Sequence, residues 1–160
     1  MTTATTVAAG LTLRGAVLAD DAFLRHVYQS TREAELSGVS WDEATRQAFF
    51  AQQFDAQAAD YRRRFPGARV LVVERDGSPV GRLYLADDGT AVHVLDIALL
   101  AEHRGHGLGE ALLRWVIGEG KRVSLTVGKW NPAQRLYARL GFEVVADEGA
   151  YLGMERLPLS

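Results

Sequence analysis

Apolar and polar positions follow two different periods along the chain, and the alternation between these periods predicts a mixture of helices and strands. Caps and turn residues mark the boundaries. Ser40 and Glu43 form a capping box, Asp76-Gly77 is a hairpin signal, and Asn131-Pro132 is a favoured helix start. In chain order the pattern predicts a strand (11–14), two helices (20–36 and 40–65), three antiparallel strands (69–74, 80–85 and 91–100), a helix (108–118), a strand (123–127), a helix (131–141) and two closing strands (142–145 and 151–157).

This order of elements indicates an α/β fold with a mixed, mostly antiparallel central sheet of about seven strands, flanked by about four helices. Residues 1–10 are rich in Thr and Ala and lack the basic start of a signal peptide, so we expect them to be disordered. Residues 11–160 are expected to form a single domain, because a chain of 160 residues has ordinary domain size.

The composition excludes several classes of function. The net charge is −2 and the isoelectric point about 6.1, so nothing favours general binding to nucleic acid, and any anion site must be local. The chain has no cysteine, which excludes disulfides, thiolate chemistry and Cys-ligated zinc. No stretch approaches the roughly 20 apolar residues of a membrane span. We therefore expect a cytoplasmic protein with neither a nucleic-acid nor a membrane partner.

A glycine-rich turn connects the apolar strand 91–100 to the helix that follows it. Backbone N–H groups in such a turn point at one spot, at the positive end of the helix dipole, where phosphate binds well. Glycines at 105, 107 and 109 let a diphosphate approach the backbone without meeting a Cβ atom, and Arg104 adds a cationic fork. The turn is therefore a candidate phosphate site.

Two common phosphate motifs do not fit this turn. The dinucleotide pattern G-x-G-x-x-G fails because Glu110 stands where the third glycine should be, and the P-loop fails for want of Gly-Lys-Ser/Thr. What remains is R-x-x-G-x-G, formed by Arg104, Gly107 and Gly109. On this stretch alone, a phosphate site and a turn that merely needs flexible residues are equally good interpretations.

A second segment changes that balance. About two dozen residues after the turn, a helix opens on Asn131-Pro-Ala and continues through Leu136-Tyr137 to Gly141-Phe142. The two segments together resemble the GCN5-related N-acetyltransferase (GNAT) superfamily, whose order of elements fits this chain from about residue 11 to 157. The resemblance implies transfer of the acetyl group of acetyl-CoA, as co-substrate, to a small-molecule or peptide amine acceptor by direct attack in a ternary complex. Homodimers are common in the family, and the closing hairpin 142–157 would then be the interface.

The resemblance also implies where coenzyme A binds. The turn would hold the pyrophosphate through backbone N–H groups. The pantetheine arm would bond the preceding strand as an added strand does, in a gap where that strand and the next separate at a bulge. The N–H of Leu99 would polarise the thioester carbonyl. The implied cofactor-binding residues are Ile97, Ala98, Leu99, Arg104, Gly105, His106, Gly107, Leu108, Gly109, Glu110, Asn131 and Arg135.

Two of these residues have an equally good structural explanation. Asn131 fits a plain helix N-cap as well as a ligand of the pantetheine amides. Arg135, with Lys129 and Arg139, fits either a contact with the 3′-phosphate of coenzyme A or a solvated helix face.

Tyr137 matches the position of the family's general acid. A phenol suits that role, since its pKa near ~10 keeps it protonated at neutral pH and it can donate its proton to a thiolate. An aromatic residue on an amphipathic helix is also a common core residue. The general base stays open. Asp96 interrupts an apolar strand, and Glu33 and Glu35 lie near the end of the first helix. Each of the three also fits a solvated or outer-face charge, and no base is needed if the amine binds with a lowered pKa.

His93, His103 and His106 are close in sequence, but their spacing matches no known set of metal ligands, so we expect no metal. His106 is expected to line the pyrophosphate instead. Two other functions stay open: a non-catalytic acyl-CoA-binding module with the same fold, which the intact Tyr137 disfavours, and a nucleotide-binding domain of another kind. No motif identifies the amine.

Overall fold

The computed structural model describes residues 4–8 and 10–158, apart from the side chain of Glu35. Within these residues the strands are β1 Thr5–Thr6, β2 Leu11–Gly15, β3 Arg69–Arg75, β4 Ser78–Asp87, β5 Ala91–Leu99, β6 Arg122–Gly128, β7 Glu143–Asp147 and β8 Tyr151–Arg156. The α-helices are α1 Asp21–Arg32, α2 Glu43–Arg64, α3 Leu108–Ile117 and α4 Gln134–Arg139, and short 3-10 turns cover Leu18–Asp20, Glu33–Leu36 and Ala101–His103.

The strands of the described residues form one sheet in the order β1-β2-β3-β4-β5-β6-β8-β7. Neighbouring strands are antiparallel except β5 and β6, which are parallel because α3 carries the chain back between them. The predicted α/β class and mostly antiparallel sheet are confirmed, with one strand more than the expected seven or so. One domain over residues 11–160 stays a prediction.

The additional strand, β1, lies in the segment that was expected to be disordered. Thr5 and Thr6 pair with β2, and Val7 is buried against the core. The expectation of disorder does not hold for residues 5–7, because β-branched side chains suit an edge strand and Val7 gains apolar contacts. Residues 1–3 and 9, which belong to the same prediction, lie outside the described residues.

Strand β5 separates from β6 partway along its length. The two strands pair only from Ala91–Arg122 to Val94–Leu125. Beyond that point residues 95–99 of β5 keep a neighbour only on the β4 side, while β6 continues as the partner of β8. A split therefore opens between β5 and β6 at the end of β5, as the resemblance implied.

A β-bulge in β5 lies where this split begins. Tyr84 of β4 pairs with Asp96, but the next residue of β4, Leu85, pairs with Val94, so Leu95 is an extra residue. The bulge reverses the alternation of faces along the strand.

Even-numbered residues face the core before this bulge and odd-numbered residues face it afterwards. Val92 and Val94 pack in the core beneath α3, as do Ile97 and Leu99. Asp96 consequently points to the opposite face of the sheet, which α1 and α2 cover.

Two apolar clusters cover the two faces of the sheet. The larger cluster includes Leu112, Leu113 and Val116 of α3, each no more than 1% exposed. The smaller cluster joins Tyr28 of α1 to Phe50 of α2. The larger cluster fixes α3, and with it the glycine turn, against β5.

Three helix boundaries differ from the sequence prediction. The N-cap of α2 is Asp42, whose carboxylate accepts the N–H of Thr45 at 2.7 Å, and not Ser40. Helix α1 ends at Arg32 and tightens into the 3-10 turn. Helix α4 begins at Gln134 because the carbonyl oxygens of residues 131 and 132 accept N–H groups three residues ahead, as in a 3-10 turn.

In the described part of the chain, no helix has the length and apolar character that crossing a membrane needs.

Asp20 predicts a pH-dependent part of the stability. Its carboxylate accepts two hydrogen bonds from Arg14, at 2.8 and 2.9 Å, and one from the Val17 N–H, at 2.8 Å. The Arg14 guanidinium, acting first, lowers the pKa of Asp20 to about 2. Because the folded-state pKa lies below the unfolded value, this stabilisation is present above about pH 4 and is lost as the pH falls toward about 2.

We therefore expect Asp20→Asn to cost about 2 kcal/mol at neutral pH and much less near about pH 2.5. Urea unfolding of both proteins over this pH range measures the difference. A difference in the free energy of unfolding that does not vary with pH would show that the ion pair does not cause it.

Candidate active site

One cleft of about 580 Å³ runs through the split between β5 and β6. Its walls come from the end of β5, the glycine turn, α3, the turn before α4, and α4 itself. The sequence-predicted residues that it brings together are Asp96, Ile97, Ala98, Leu99, Arg104, Gly109, Asn131 and Tyr137. Asp96 and Tyr137, which are 41 positions apart in the sequence, thus line one concave site.

The glycine turn next to this cleft leaves its backbone donors free. The N–H groups of Gly107, Leu108, Gly109 and Glu110 have no hydrogen-bond acceptor among the described residues. They form the first turn of a ten-residue helix, where the helix dipole favours an anion. The Leu108 side chain is buried, so this residue can offer a ligand only its backbone.

Glycine is required in this turn by its backbone conformation. Gly105 has φ +78° and Gly107 has φ +76°, a region that other L-residues rarely adopt. An added Cβ at residue 105, 107 or 109 would meet no protein atom within 4 Å, so the open side of the turn is free for a ligand. These residues fit a diphosphate, which the free N–H groups would bind.

Neighbouring charges keep Glu110, in the first turn of α3, from opposing an anion at the glycine turn. Glu110 accepts hydrogen bonds from Arg139 at 2.6 Å and Arg114 at 3.1 Å. These two guanidinium groups, Arg139 first, lower the pKa of Glu110. Arg104 donates through Nε to the carbonyl oxygen of Leu99 at 2.9 Å, which ties the turn to the end of β5.

The backbone of β5 offers donors to the same cleft. The Leu100 N–H bonds to Val80 of β4 at 2.9 Å, so the N–H and C=O of the preceding residue, Leu99, point away from β4 and into the split. Period two gives Ile97 the same direction. Strand β4 can approach this part of β5 closely because residue 81 is a glycine. A Cβ atom at Gly81 would lie 2.3 Å from the Ala98 carbonyl oxygen.

Tyr137 is buried in α4, and its ring packs against Phe142 with a centroid separation of 6.0 Å. Its hydroxyl has no hydrogen-bond partner among the described residues, although the residue lines the cleft. Burial raises the pKa of Tyr137, and the Asp96 carboxylate raises it further. The phenol is therefore a protonated donor at neutral pH, close enough to Asp96 to sense its charge.

Asp96 is held by a buried arginine that the sequence analysis did not identify. Arg82 of β4 is 3% exposed and donates to Asp96 at 2.7 Å and to Gln57 at 2.7 Å. The rings of Tyr28, Phe54 and Tyr84 surround its guanidinium, with centroids 5.7 to 6.0 Å away. The sequence signal that could have identified Arg82 was its position as a cation inside the apolar strand 80–85. This network fixes one oxygen of Asp96 and leaves Oδ1 without a partner among the described residues.

A second residue that sequence reasoning missed is Tyr61 of α2. Its hydroxyl donates to the carbonyl oxygen of Leu95 at 3.0 Å, which satisfies the acceptor that the bulge releases. Burial, followed by the Asp96 charge, raises the pKa of Tyr61 to about 12. No local motif predicts this role, because it depends on how α2 crosses the sheet.

Some predicted residues do not line the cleft. Glu33 accepts hydrogen bonds from Arg46 and from Gln29, and the contact with Arg46 joins α1 to α2. Glu33 does not line the cleft. Arg135 is exposed on α4, outside the cleft wall. Asn131 Oδ1 accepts the Ala133 N–H at 2.9 Å, but the N-cap of α4 is Ala133, so Asn131 stabilises the turn before the helix and is not its N-cap. Asn131 still borders the cleft. The side chain of Glu35 lies outside the described residues.

The expectation of no metal rests on the sequence. In residues 4–8 and 10–158, no three His, Asp or Glu side chains come together as a ligand group. His106 is exposed in the glycine turn.

Comparisons with known proteins give one family. Residues 24–142 match the model of the Acetyltransferase (GNAT) family. Over 84 residues the chain is 34% identical to a candidate ribosomal protein bS18-alanine N-acetyltransferase of Bacillus subtilis (strain 168), a match that covers 49% of this chain and 56% of that protein. The match thus spans little more than half of that relative's length.

Solved structures give the same fold. PaiA N-acetyltransferase from Thermoplasma acidophilum, in complex with coenzyme A, superposes with a TM-score of 0.68 at 17% identity and covers 92% of this chain and 98% of its own. An acetyltransferase from Thermus thermophilus superposes with a TM-score of 0.64 at 23% identity, over 96% of this chain and 100% of its own. At these identities the two structures show the fold alone.

Proposed function

The chain belongs to the acetyltransferase (GNAT) family, and on that premise we propose that it transfers the acetyl group of acetyl-CoA to an amine. The observation that carries the proposal is that three features lie in or beside one cleft. These are the free N–H groups of the glycine turn, the unpaired backbone edge of β5, and the phenol of Tyr137. The N–H groups can bind the diphosphate, the strand edge can bond the pantetheine arm, and the phenol can protonate the departing thiolate.

Binding of coenzyme A is assigned to the turn and to β5. The N–H groups of residues 107–110 bind the diphosphate, assisted by Arg104, and Gly105 and His106 border it. The pantetheine arm lies along Ile97, Ala98 and Leu99 as an added strand would, and the side-chain amide of Asn131 reaches it from the other side. Arg135 is assigned to the 3′-phosphate of coenzyme A, at the open end of the cleft. Acetyl-CoA supplies an acetyl group already activated as a thioester.

The transfer itself is assigned to Leu99 and Tyr137. The Leu99 N–H donates to the thioester oxygen as negative charge develops there. The amine nitrogen forms a bond to the carbonyl carbon, the carbon–sulfur bond breaks, and Tyr137 gives its phenolic proton to the departing thiolate. The proton that the nitrogen loses passes to solvent, from which the Tyr137 phenolate recovers one. Attack is direct in a ternary complex.

Asp96 is proposed to attract and orient the acceptor. Its Oδ1 atom is free of partners among the described residues, and its Oδ2 atom is fixed by Arg82. A carboxylate in that place favours a cationic amine. The acceptor is a small-molecule or peptide amine, and an N-terminal alanine peptide belongs among the first candidates because of the Bacillus subtilis relative. Glu33 is not retained as the base, because it forms the ion pair with Arg46.

A homodimer through the closing hairpin β7–β8 is also proposed. Val144 and Val145 on β7 are each more than half exposed, although β7 lies at the edge of the sheet. Pairing of two such edges would cover them.

A thermal melt with and without acetyl-CoA tests the proposal. At about a hundredfold excess over Kd, the ligand should add about 2.7 kcal/mol, which raises Tm by about 5–11 °C in a chain of this size. ATP and NAD are the controls and should give no comparable shift. A folded protein whose Tm does not respond to acetyl-CoA would contradict the proposal. A shift without turnover on any amine of a broad panel would favour a non-catalytic acyl-CoA-binding module.

A further inference from the structure

Two exposed aromatic side chains, here called the aromatic pair, stack on each other at the end of β6. The rings of Trp130 and Tyr151 meet edge to face, with centroids 5.4 Å apart and an interplanar angle of 68°. Trp130 is 69% exposed and Tyr151 is 47% exposed, although burial of such large apolar rings is favourable. The roles assigned above leave the aromatic pair without a function.

The aromatic pair lies on the face of the sheet to which Asp96 points. The odd-numbered residues of the range 123–127 in β6 pack in the core beneath α3, so Gly128 faces the opposite way. The indole of Trp130 occupies this side of Gly128, since an added Cβ atom there would lie 2.6 Å from the ring. Gly128 pairs with Tyr151 on the neighbouring strand, β8. Both rings therefore stand on the side of the split that an acceptor attracted by Asp96 would enter.

The aromatic pair is also level with the place where the acetyl group would react. The last pair before the split is Val94 with Leu125. Leu99 is five residues beyond Val94, or four without the extra residue of the bulge, and Lys129 is four residues beyond Leu125. Four residues of strand span roughly 13 Å, at about 3.3 Å each. Trp130 therefore stands across the split from the Leu99 N–H.

Open space adjoins both members of the aromatic pair. Asn131, the residue after Trp130, lines the cleft in which the transfer is proposed. Tyr151 lines a second pocket, of about 610 Å³, on the face of the sheet that α2 covers. Thr126, which faces the same way on β6, is exposed. The aromatic pair thus lies between the two cavities, with room beside it for part of a ligand.

We propose that the aromatic pair selects the acceptor, and that Trp130 packs against an aromatic or branched apolar group that the acceptor carries near its amine. The inference rests on the proposed acetyl transfer and names the class of its acceptor. Arylalkylamines carry such a group, and so do peptides with a large apolar residue in second position. Asp96 attracts the ammonium form of the amine, while the rings bind the apolar part.

Aromatic rings also bind cations, so a second cationic group on the acceptor is the alternative. The charges around the aromatic pair are largely matched, because Lys129 pairs with Asp147 at 2.8 Å and Arg64 pairs with Asp60 at 2.8 Å. The carboxylate of Glu148 has no ion pair among the described residues, but it is exposed to water, where its attraction is screened. The exposed ring surface is therefore the larger feature, and it fits an apolar group.

Selectivity between matched amines tests the inference. The wild type should acetylate phenethylamine with a higher kcat/KM than ethanolamine, and Ala-Phe amide with a higher kcat/KM than Ala-Gly amide. Trp130→Ala should lower kcat/KM for the two aromatic acceptors roughly tenfold to a hundredfold, the loss expected for an aromatic anchor. The values for ethanolamine and Ala-Gly amide should not change.

Two further readouts separate selection of the acceptor from a structural role. Trp130→Phe keeps a ring at this position and should retain most of the preference for aromatic acceptors. The KM for acetyl-CoA and the acetyl-CoA melt shift should be unchanged in both Trp130 variants, whereas a distorted cleft would alter them.

Trp41→Ala is the matched control. Trp41 is also exposed and also stacks edge to face, but its partner is Phe49 of α2 and not a residue of β8. This variant should keep the selectivity of the wild type. Tyr151→Phe, which removes only the hydroxyl and keeps the ring, should keep it as well.

Unchanged selectivity in folded Trp130→Ala would overturn the inference, and so would an equal loss for aromatic and small acceptors. A preference for diaminobutane over phenethylamine that Glu148→Gln abolishes would overturn it in favour of a site for a second cation. Failure of the proposed function looks different, since the wild type itself would then acetylate none of these amines, and the inference would fall with it.

Discussion

Replacing Tyr137 with phenylalanine should lower kcat on the order of 10²- to 10⁴-fold and leave the affinity for acetyl-CoA nearly unchanged. The substitution removes one hydroxyl from the cleft and keeps the ring that packs on Phe142. Without the phenol the thiolate must leave unprotonated or take a proton from water. Because the hydroxyl has no partner among the described residues, its loss breaks no hydrogen bond that holds the fold together.

The matched control is Tyr84→Phe. Tyr84 is also buried, and burial also raises its pKa, but it does not line the cleft. This variant should retain kcat. Initial rates over a range of acetyl-CoA concentrations separate kcat from KM, and the melt shift reports binding independently. Equal kcat values for Tyr137→Phe and the wild type would show that Tyr137 has no part in the mechanism and is a core residue only.

Gly107→Ala should weaken acetyl-CoA binding on the order of a hundredfold, about 2.7 kcal/mol. Gly107 has φ +76°, and alanine pays roughly 1–2 kcal/mol to adopt such a conformation. Relaxation of the turn would misalign the N–H groups of residues 107–110, and each hydrogen bond to a charged phosphate is worth about 1.5–3 kcal/mol. The misaligned hydrogen bonds account for the expected loss of affinity, whereas the backbone strain itself lowers the stability of the free protein.

Gly89→Ala controls for backbone strain. Gly89 has φ +94° in the exposed β4–β5 turn, and, as at Gly107, an added Cβ meets nothing within 4 Å. Both variants should lose similar stability in the absence of ligand, whereas only Gly107→Ala should lose affinity in isothermal titration with acetyl-CoA. Equal affinities would mean that the glycine turn does not bind the cofactor.

The cofactor side of the site could be proposed from the sequence because that side is encoded locally. The turn and the helix it opens occupy consecutive residues, and glycine spacing reports directly on the backbone conformation. The position of Tyr137 followed from the family resemblance. Arg104, Gly109 and Tyr137 line one cleft because only β6 separates α3 from α4 and the connections are short.

The acceptor side was not predictable in the same way. The partner of Asp96 is Arg82, on a neighbouring strand, and Glu33 met Arg46 because α1 packs on α2. His93 was considered only as a metal ligand, since its contacts with Asp88 and Ser124 arise from a turn and a strand pairing. Such contacts depend on the tertiary arrangement, about which periodicity says nothing.

The extra residue at Leu95 sets a rule for anyone who engineers β5. A strand with unbroken alternation would carry the same parity from Ala91 to Leu99 and would place Asp96 among the core side chains. Here the side chains that face away from the core beneath α3 are odd-numbered up to His93 and even-numbered from Asp96 onward, and two of them, Ala91 and Ala98, are buried all the same. A library built on one uniform alternation would therefore place charge in the core along half of the strand. Strand positions must be counted from the bulge in each direction.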